Sequence, residues 1–264
     1  ENHNKLRMKN LIIFLSVAMS SSISAQVTTV YNPITGETWM DRNLGATQIA
    51  ASFDDVNAYG DLYQWGRNTD GHQIRTSSTT SILSTTNFPN HSDFILANSD
   101  WLTVSDDNLW QGVNGINNPC PLGFRLPTEA ELEAERLSWT SNDAAGAFAS
   151  PLKLTIGGAR SRMSGAIGNV GTFVGYRTSD LNGLQSRMLG ISLTTSFMGD
   201  RDRADGNCVR CIQDETVSSI LEISNQKTLI KIVGILGRET NPKANTILFY
   251  IYDDGTVQKK IILE

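Results

Sequence analysis

An α+β fold of small antiparallel sheets, few short helices and long loops is what this sequence predicts. Three observations carry that reading. The 264 residues include 22 glycines among abundant Ser, Thr and Asn, a composition of many turns and short strands. One stretch, residues 128–137, joins a helix start signal to helical apolar spacing. Residues 156–211, and again the chain after Glu215, alternate apolar and polar side chains between glycine turns. With 27 acids against 22 bases the formal charge is −5, so nothing points to a nucleic-acid partner.

The first element is not structural. "MKNLIIFLSVAMSSSISAQ" places basic Lys9 before an apolar run, then small residues ending at Ala25, the layout of a cleavable secretory signal peptide. Its apolar core of about ten residues is too short for a permanent membrane span, and no later stretch is long enough for one. Glu1–Arg7 precede Met8 and read as upstream residues, so 1–25 are set apart from the fold. Cleavage after Ala25 removes one acid and three bases and takes the charge to −7.

Export bears on the three cysteines, Cys120, Cys208 and Cys211. An oxidising compartment makes one disulfide the default, and Cys120 with either partner closes a loop of about 90 residues, worth about 4–5 kcal/mol in the chain-entropy model. The third thiol is left over. "CVRC" has a redox or zinc spacing, but no second Cys or His pair accompanies it.

Further elements follow in order. "TTVYNPITGETWMDRNLGA" has a turn at Asn32–Gly36 and a strand at Thr38–Met40. "NAYGDLYQWGR" interleaves Tyr59, Tyr63 and Trp65 with glycines, as a half-buried strand does. Thr69–Asn98 is Ser/Thr/Asn-rich and reads as a long surface loop. In "NPCPLGFRLPTEAELEAE" Pro119 and Pro121 hold the chain extended about Cys120, Gly123 turns it, and Thr128 with Glu131 forms a capping box. Glu129 and Glu131 suit the helix dipole, and Ala130, Ala134 and Leu137 define the face expected to pack on the core. Capping and solvation explain Glu129, Glu131, Glu133 and Glu135 without catalysis, so this helix is a brace. After Glu215 the tail reads as a compact β module with a hairpin at Asp254–Gly255.

Four segments in order, "GETWMDRNLGAT", "AYGDLYQWGR", "NPCPLGFRLPTEAELEAE" and "VRCI", resemble the Fibrobacter succinogenes major paralogous domain family of exported bacterial proteins. The resemblance covers about residues 34–214. It implies a fold similar to the C-type-lectin-like fold shared with formylglycine-generating enzymes, a framework helix opened by "GFRLPTEAE", and a Cys120–Cys211 bridge that leaves Cys208 unassigned. The tail resembles the C-terminal sorting signal of the type IX secretion system: Gly234, Leu236–Gly237–Arg238, Asp253–Asp254–Gly255 and Lys259–Lys260 sit where that signal has similar residues. Together these imply a lectin-like domain at 26–214, a sorting module at 215–264, and the type IX machinery as a partner delivering the protein to the outer surface or beyond.

Chemistry is sparse. His72 and His91 lie in the polar loop, share no metal-ligand spacing and read as surface residues. "GDRDRADGN" offers Asp200, Asp202 and Asp205 as hard oxygen ligands for Ca²⁺, but Arg201 and Arg203 stand ready to neutralise them, so no cofactor is implied. In the lectin-like fold the late strands form the exposed variable face. Here that face comprises Tyr176, Arg177, Asp180, Asn182, Gln185, Arg187, Phe197, Asp200 and Arg201, a set suited to a sugar or protein surface. The expectation is a non-catalytic binding protein for a glycan, protein or surface-matrix ligand. The alternatives are a self-associating structural adhesin subunit or, less favoured, a hydrolytic or oxidative enzyme on the formylglycine-generating-enzyme-like fold, whose oxidative form would need Cys208 and Cys211 free.

Overall fold

The computed structural model describes residues 27–214, 228–243, 245–253 and 255–261; the expected signal peptide at 1–25 lies outside them, and the expected boundary at 214/215 partly so. In chain order the strands are β1 (Thr29–Asn32), β2 (Glu37–Met40), β3 (Thr79–Thr80), β4 (Phe94–Ile95), β5 (Phe124–Arg125), β6 (Ala159–Arg160), β7 (Ile167–Gly168) and β8 (Phe173–Asn182). They continue with β9 (Gln185–Ser192), β10 (Ser196–Asp202), β11 (Ile212–Gln213), β12 (Leu229–Gly234), β13 (Ile247–Tyr252) and β14 (Val257–Ile261). Two helices are described, α1 (Glu129–Leu137) and α2 (Ala144–Ala149). The fold is mainly β, built from small, mostly antiparallel sheets ordered β1-β2-β11-β5, β10-β9-β8 and β12-β13-β14, with the short pairs β3–β4 and β6–β7.

The first sheet brings both ends of residues 27–214 together. Gly36, at φ 81°, closes the β1–β2 turn by donating to the Asn32 carbonyl at 2.9 Å, as the turn residues predicted. Trp39 of β2 then pairs with Ile212 of β11, and the Met40 N–H bonds the Cys211 carbonyl at 3.0 Å. Cys211 is disulfide-bonded to Cys120, with Cα atoms 5.9 Å apart, so the pairing implied by the resemblance is present and Cys208 is the buried free thiol. Between this sheet, the helices and the sheet β8–β9 lies the main core of Trp39, Leu132, Ala147, Leu154, Val174, Leu189 and Ile212.

The capping box of α1 forms as expected: Thr128 Oγ1 accepts from the Glu131 N–H at 3.2 Å and Glu131 Oε2 from the Thr128 N–H at 2.7 Å. Its buried face is not the expected one. Ala130 and Ala134 are exposed and Leu137 is 68% exposed, while Leu132 and Glu135 are fully buried. The reason is polar: the Glu135 carboxylate accepts from Asn32 Nδ2 at 2.6 Å and from Trp139 Nε1 at 3.0 Å, and so tolerates burial. Glu131 pairs with Arg125 at 2.7 Å, and Glu129 with Arg187, so the helix is a brace held by its carboxylates.

Two further expectations are corrected. The segment 69–98 is not a surface loop throughout, for His72, Phe94 and Ile95 are fully buried. Side chains stand in for strand neighbours there: Gln64 Nε2 donates to the Ile95 carbonyl at 2.8 Å, and Arg67 donates to the carbonyls of Asp93 and His91 at 2.9 and 3.2 Å. His72 donates from Nδ1 to Asp70 at 2.6 Å and accepts the Gln64 N–H on Nε2 at 3.1 Å, while burial drives its pKa down to about 4. His91 remains half-buried. The stretch 57–67, expected as a half-buried strand, lies outside the sheets, with 62–67 fully buried and linked to Asn207 by a single β-bridge at Tyr63.

Buried arginines recur across 27–214: Arg67, Arg160, Arg177, Arg203 and Arg210 are each at most 3% exposed. A loop-rich fold leaves carbonyls without ladder partners, and a guanidinium with five donors can satisfy several at once. Arg210, for example, donates to the carbonyls of Met40 and Leu152 and to Asn43 Oδ1 at 2.8–3.2 Å.

The tail forms its own antiparallel sheet, with Gly255 at φ 79° in the β13–β14 turn and its N–H on the Tyr252 carbonyl at 3.0 Å. Among the described residues no helix is long and apolar enough to cross a membrane.

Candidate ligand-binding face

Strand alternation divides the sheet β8–β9–β10 into two faces. Val174, Tyr176, Leu189 and Ile191 enter the main core. The opposite face is fixed by register, with Gly175, Gly190 and Phe197 aligned in one row across the strands and Arg177, Met188 and Gly199 in the next. Glycine is required under the aromatic ring. A β-carbon on Gly190 would lie 2.9 Å from the Phe197 ring, and one on Gly199 would lie 3.0 Å from it. Phe197 therefore rests on a glycine floor, 44% exposed, and stacks on Phe173 with ring centroids 6.4 Å apart at 26°. The pair makes an apolar platform. Beside Gly175, both polar atoms of the Asn207 side chain are buried without a hydrogen-bond partner among the described residues.

Next to the platform stands Arg201, its guanidinium 5.9 Å from the Phe173 centroid. It also lines a cleft of about 350 Å³ between the β6–β7 hairpin and the end of β10 with the turn after it. Arg160, Arg162, Arg201, Asp205 and Asn169 contribute to its lining, three guanidiniums against one carboxylate. Two of these arginines are committed. Arg160 donates to the carbonyls of Gly165 and Ser77 and to Ser77 Oγ, with its guanidinium 4.3 Å over Phe94. Arg162 bonds the Asn98 carbonyl at 2.7 Å and pairs with Asp202 and Asp205 at 3.0 and 3.4 Å. Arg201 is different: Asp205 stands 3.9 Å from its Nε, beyond hydrogen-bond reach, and that Nε is buried without a partner.

Of the residues expected on this face, Phe197 and Arg201 stand on the platform and cleft. Tyr176 and Arg177 are corrected, being fully buried. The Tyr176 hydroxyl donates to the Thr155 carbonyl at 2.8 Å and accepts from Asn43 Nδ2 at 3.0 Å, and burial pushes its pKa up to about 12. Arg177 is a support, donating to the carbonyls of Asp202 and Asp205 at 2.8 and 2.6 Å and to Ser186 Oγ. Asp180 is drawn into the α1 brace, accepting from the Glu129 N–H. Arg187 also pairs with Asp200 at 2.6 Å, Asn182 Nδ2 donates to Asp200 at 3.0 Å, and Gln185 Nε2 donates to Asp202 at 3.2 Å.

Those pairings engage the three carboxylates considered for calcium. Asp200 is taken by Arg187, which holds its carboxyl below the ordinary range, and Asp202 and Asp205 are taken by Arg162. Among the described residues no group of acidic, His or Cys side chains forms a metal cage. Cys208 donates to the Tyr59 carbonyl at 3.5 Å, and burial raises its pKa to about 11, which keeps it a thiol. Phe173, Asn169, Arg162 and the glycine floor were missed by sequence reasoning; the signal was the run of single glycines at 175, 190 and 199, visible only once strand register aligns them.

The chain matches no family model, no curated protein and no solved structure among those compared.

Proposed function

We propose that this chain is an exported, non-catalytic binding protein of the outer cell surface or the medium, delivered by type IX secretion. Residues 26–214 are a lectin-like domain of the Fibrobacter succinogenes major paralogous kind, and 215–264 are its sorting module. The motif order and the tail support this reading, together with the joined ends of residues 27–214 and the Cys120–Cys211 bridge. The observation that carries the binding role is Arg201, a guanidinium with no hydrogen bond among the described residues, set beside a half-exposed aromatic pair and an open cleft. A ring surface beside an unused directional donor is how a site selects a polar ligand of defined shape.

Glycan and protein arrays probed with the mature chain, wild type and Phe197→Ala, test the role. Ligand capture lost in the variant supports it. Concentration-dependent self-association without any array signal favours the structural adhesin subunit instead. Intact mass of the protein from cell surface and medium, showing a start at Gln26 and loss of the tail, tests the export route.

A further inference from the structure

We infer that the Phe173–Phe197 platform and the cleft beyond Arg201 together bind a uronate-bearing polysaccharide, one carboxylated ring on the platform and its neighbour in the cleft, an inference that rests on the binding role proposed above. The apolar face of a pyranose fits the Phe173–Phe197 platform, whose rings stack at 26° and leave Phe197 44% exposed. The ring's carboxylate then meets the two terminal nitrogens of Arg201, which make no hydrogen bond among the described residues, while its buried Nε faces inward. A planar guanidinium binds a carboxylate through two parallel N–H bonds. The Asn169 side chain, exposed on the cleft rim, is placed for a sugar hydroxyl. At about 350 Å³ the cleft lies at the small end of ligand sites, of a size for one or two sugar rings.

Charge decides which anion is accepted. Arg160 and Arg162 are occupied by protein carbonyls and by Asp202 and Asp205, so the cleft offers one spare positive group with two carboxylates close behind it. That arrangement suits a monoanion and repels the multiple charges of a phosphate or a dense sulfate cluster. The whole chain carries −5, so no long-range field draws in a highly charged polymer, and recognition works at contact distance.

The test is binding of the mature full chain to oligogalacturonate and oligoglucuronate, to the matched neutral oligosaccharides, and to an Asp/Glu-rich peptide. It uses wild type, Arg201→Gln, Phe197→Ala and the remote control Leu122→Ser, at a 92% exposed position. The expected result is uronate affinity at least tenfold above the neutral match, lost at least tenfold in Arg201→Gln and in Phe197→Ala, and unchanged in Leu122→Ser. Arg201→Gln should melt close to wild type, because it gives up only the 3.9 Å ion pair to Asp205 and the contact with the Phe173 ring, and no hydrogen bond. Uronate binding that survives Arg201→Gln, or equal binding of neutral sugars lost only in Phe197→Ala, overturns the uronate assignment and leaves the binding face standing. Preference for the acidic peptide overturns it in favour of a protein ligand. No binding to any probe, here or on the arrays, overturns both.

Discussion

Replacing Arg177 by Met separates a supporting arginine from Arg201, the arginine proposed to meet a ligand. Met replaces the aliphatic stem of Arg177 beside its strand partner Met188 and omits the guanidinium. What goes are two well-formed charge-assisted bonds, 2.8 Å to the Asp202 carbonyl and 2.6 Å to the Asp205 carbonyl, with the contact to Ser186. Bonds of that kind contribute about 1.5–3 kcal/mol each, so the gross loss is about 3–6 kcal/mol. Part is returned because a fully buried guanidinium no longer has to be desolvated, a cost large enough to pull the Arg177 pKa down to about 9. The Asp202 carbonyl also keeps a second donor, the Asp205 N–H at 3.2 Å, whereas the Asp205 carbonyl has no such substitute from the backbone. A net destabilisation of about 3 kcal/mol is expected, read as a lower urea midpoint at unchanged slope with the disulfide intact. Because the end of β10 and the turn after it carry Arg201 and Asp205, ligand binding should fall as well, although Arg177 lies beneath the proposed site. A loss below about 1 kcal/mol would refute the claim that its carbonyl bonds hold this turn.

Three other outcomes are expected. His72 has its pKa lowered from 6.5 to about 4 by burial, so between those values the unfolded chain holds a proton that the folded chain refuses. Its contribution, about 3 kcal/mol, is complete above pH 6.5 and is lost as pH falls toward 4; denaturant titrations across that window should show the slope in wild type and a reduced one in His72→Gln. Opening the Cys120–Cys211 bridge by the double Ser variant should cost about 4–5 kcal/mol for its 91-residue separation, measured by thermal or urea unfolding. Gly190→Ala forces the exposed end of the Phe197 ring off its floor, so ligand affinity should drop toward that of Phe197→Ala while stability falls by no more than about 1–3 kcal/mol.

How much of this was legible depended on whether a signal was local. The capping box at Thr128–Glu131, the Gly36 turn and the Gly255 hairpin need only neighbouring residues, and each was read correctly. The buried face of α1 was misread because Glu135 is held by Asn32, far away along the chain, and an apolar-periodicity argument gives a carboxylate no route into a core. The buried segment around Phe94 and Ile95 was misread for the same reason: its polar composition is what lets Gln64 and Arg67 bind its backbone.

The two arginines of the outer sheet face show where sequence stops and geometry begins. Arg177 and Arg201 both sit on strands, next to small residues and within reach of acids, and nothing in their local sequence ranks one above the other. Yet the turn after β10 folds its carbonyls onto Arg177, while Arg201, on the edge strand of the sheet order, meets only an aromatic face and a distant carboxylate. In a domain that uses buried guanidiniums to replace missing strand neighbours, an abundance of arginine says nothing about a ligand. The informative arginine is the one whose donors the fold has left without acceptors, and for Arg201 no carbonyl or carboxylate of residues 27–214 lies in hydrogen-bonding position to serve them.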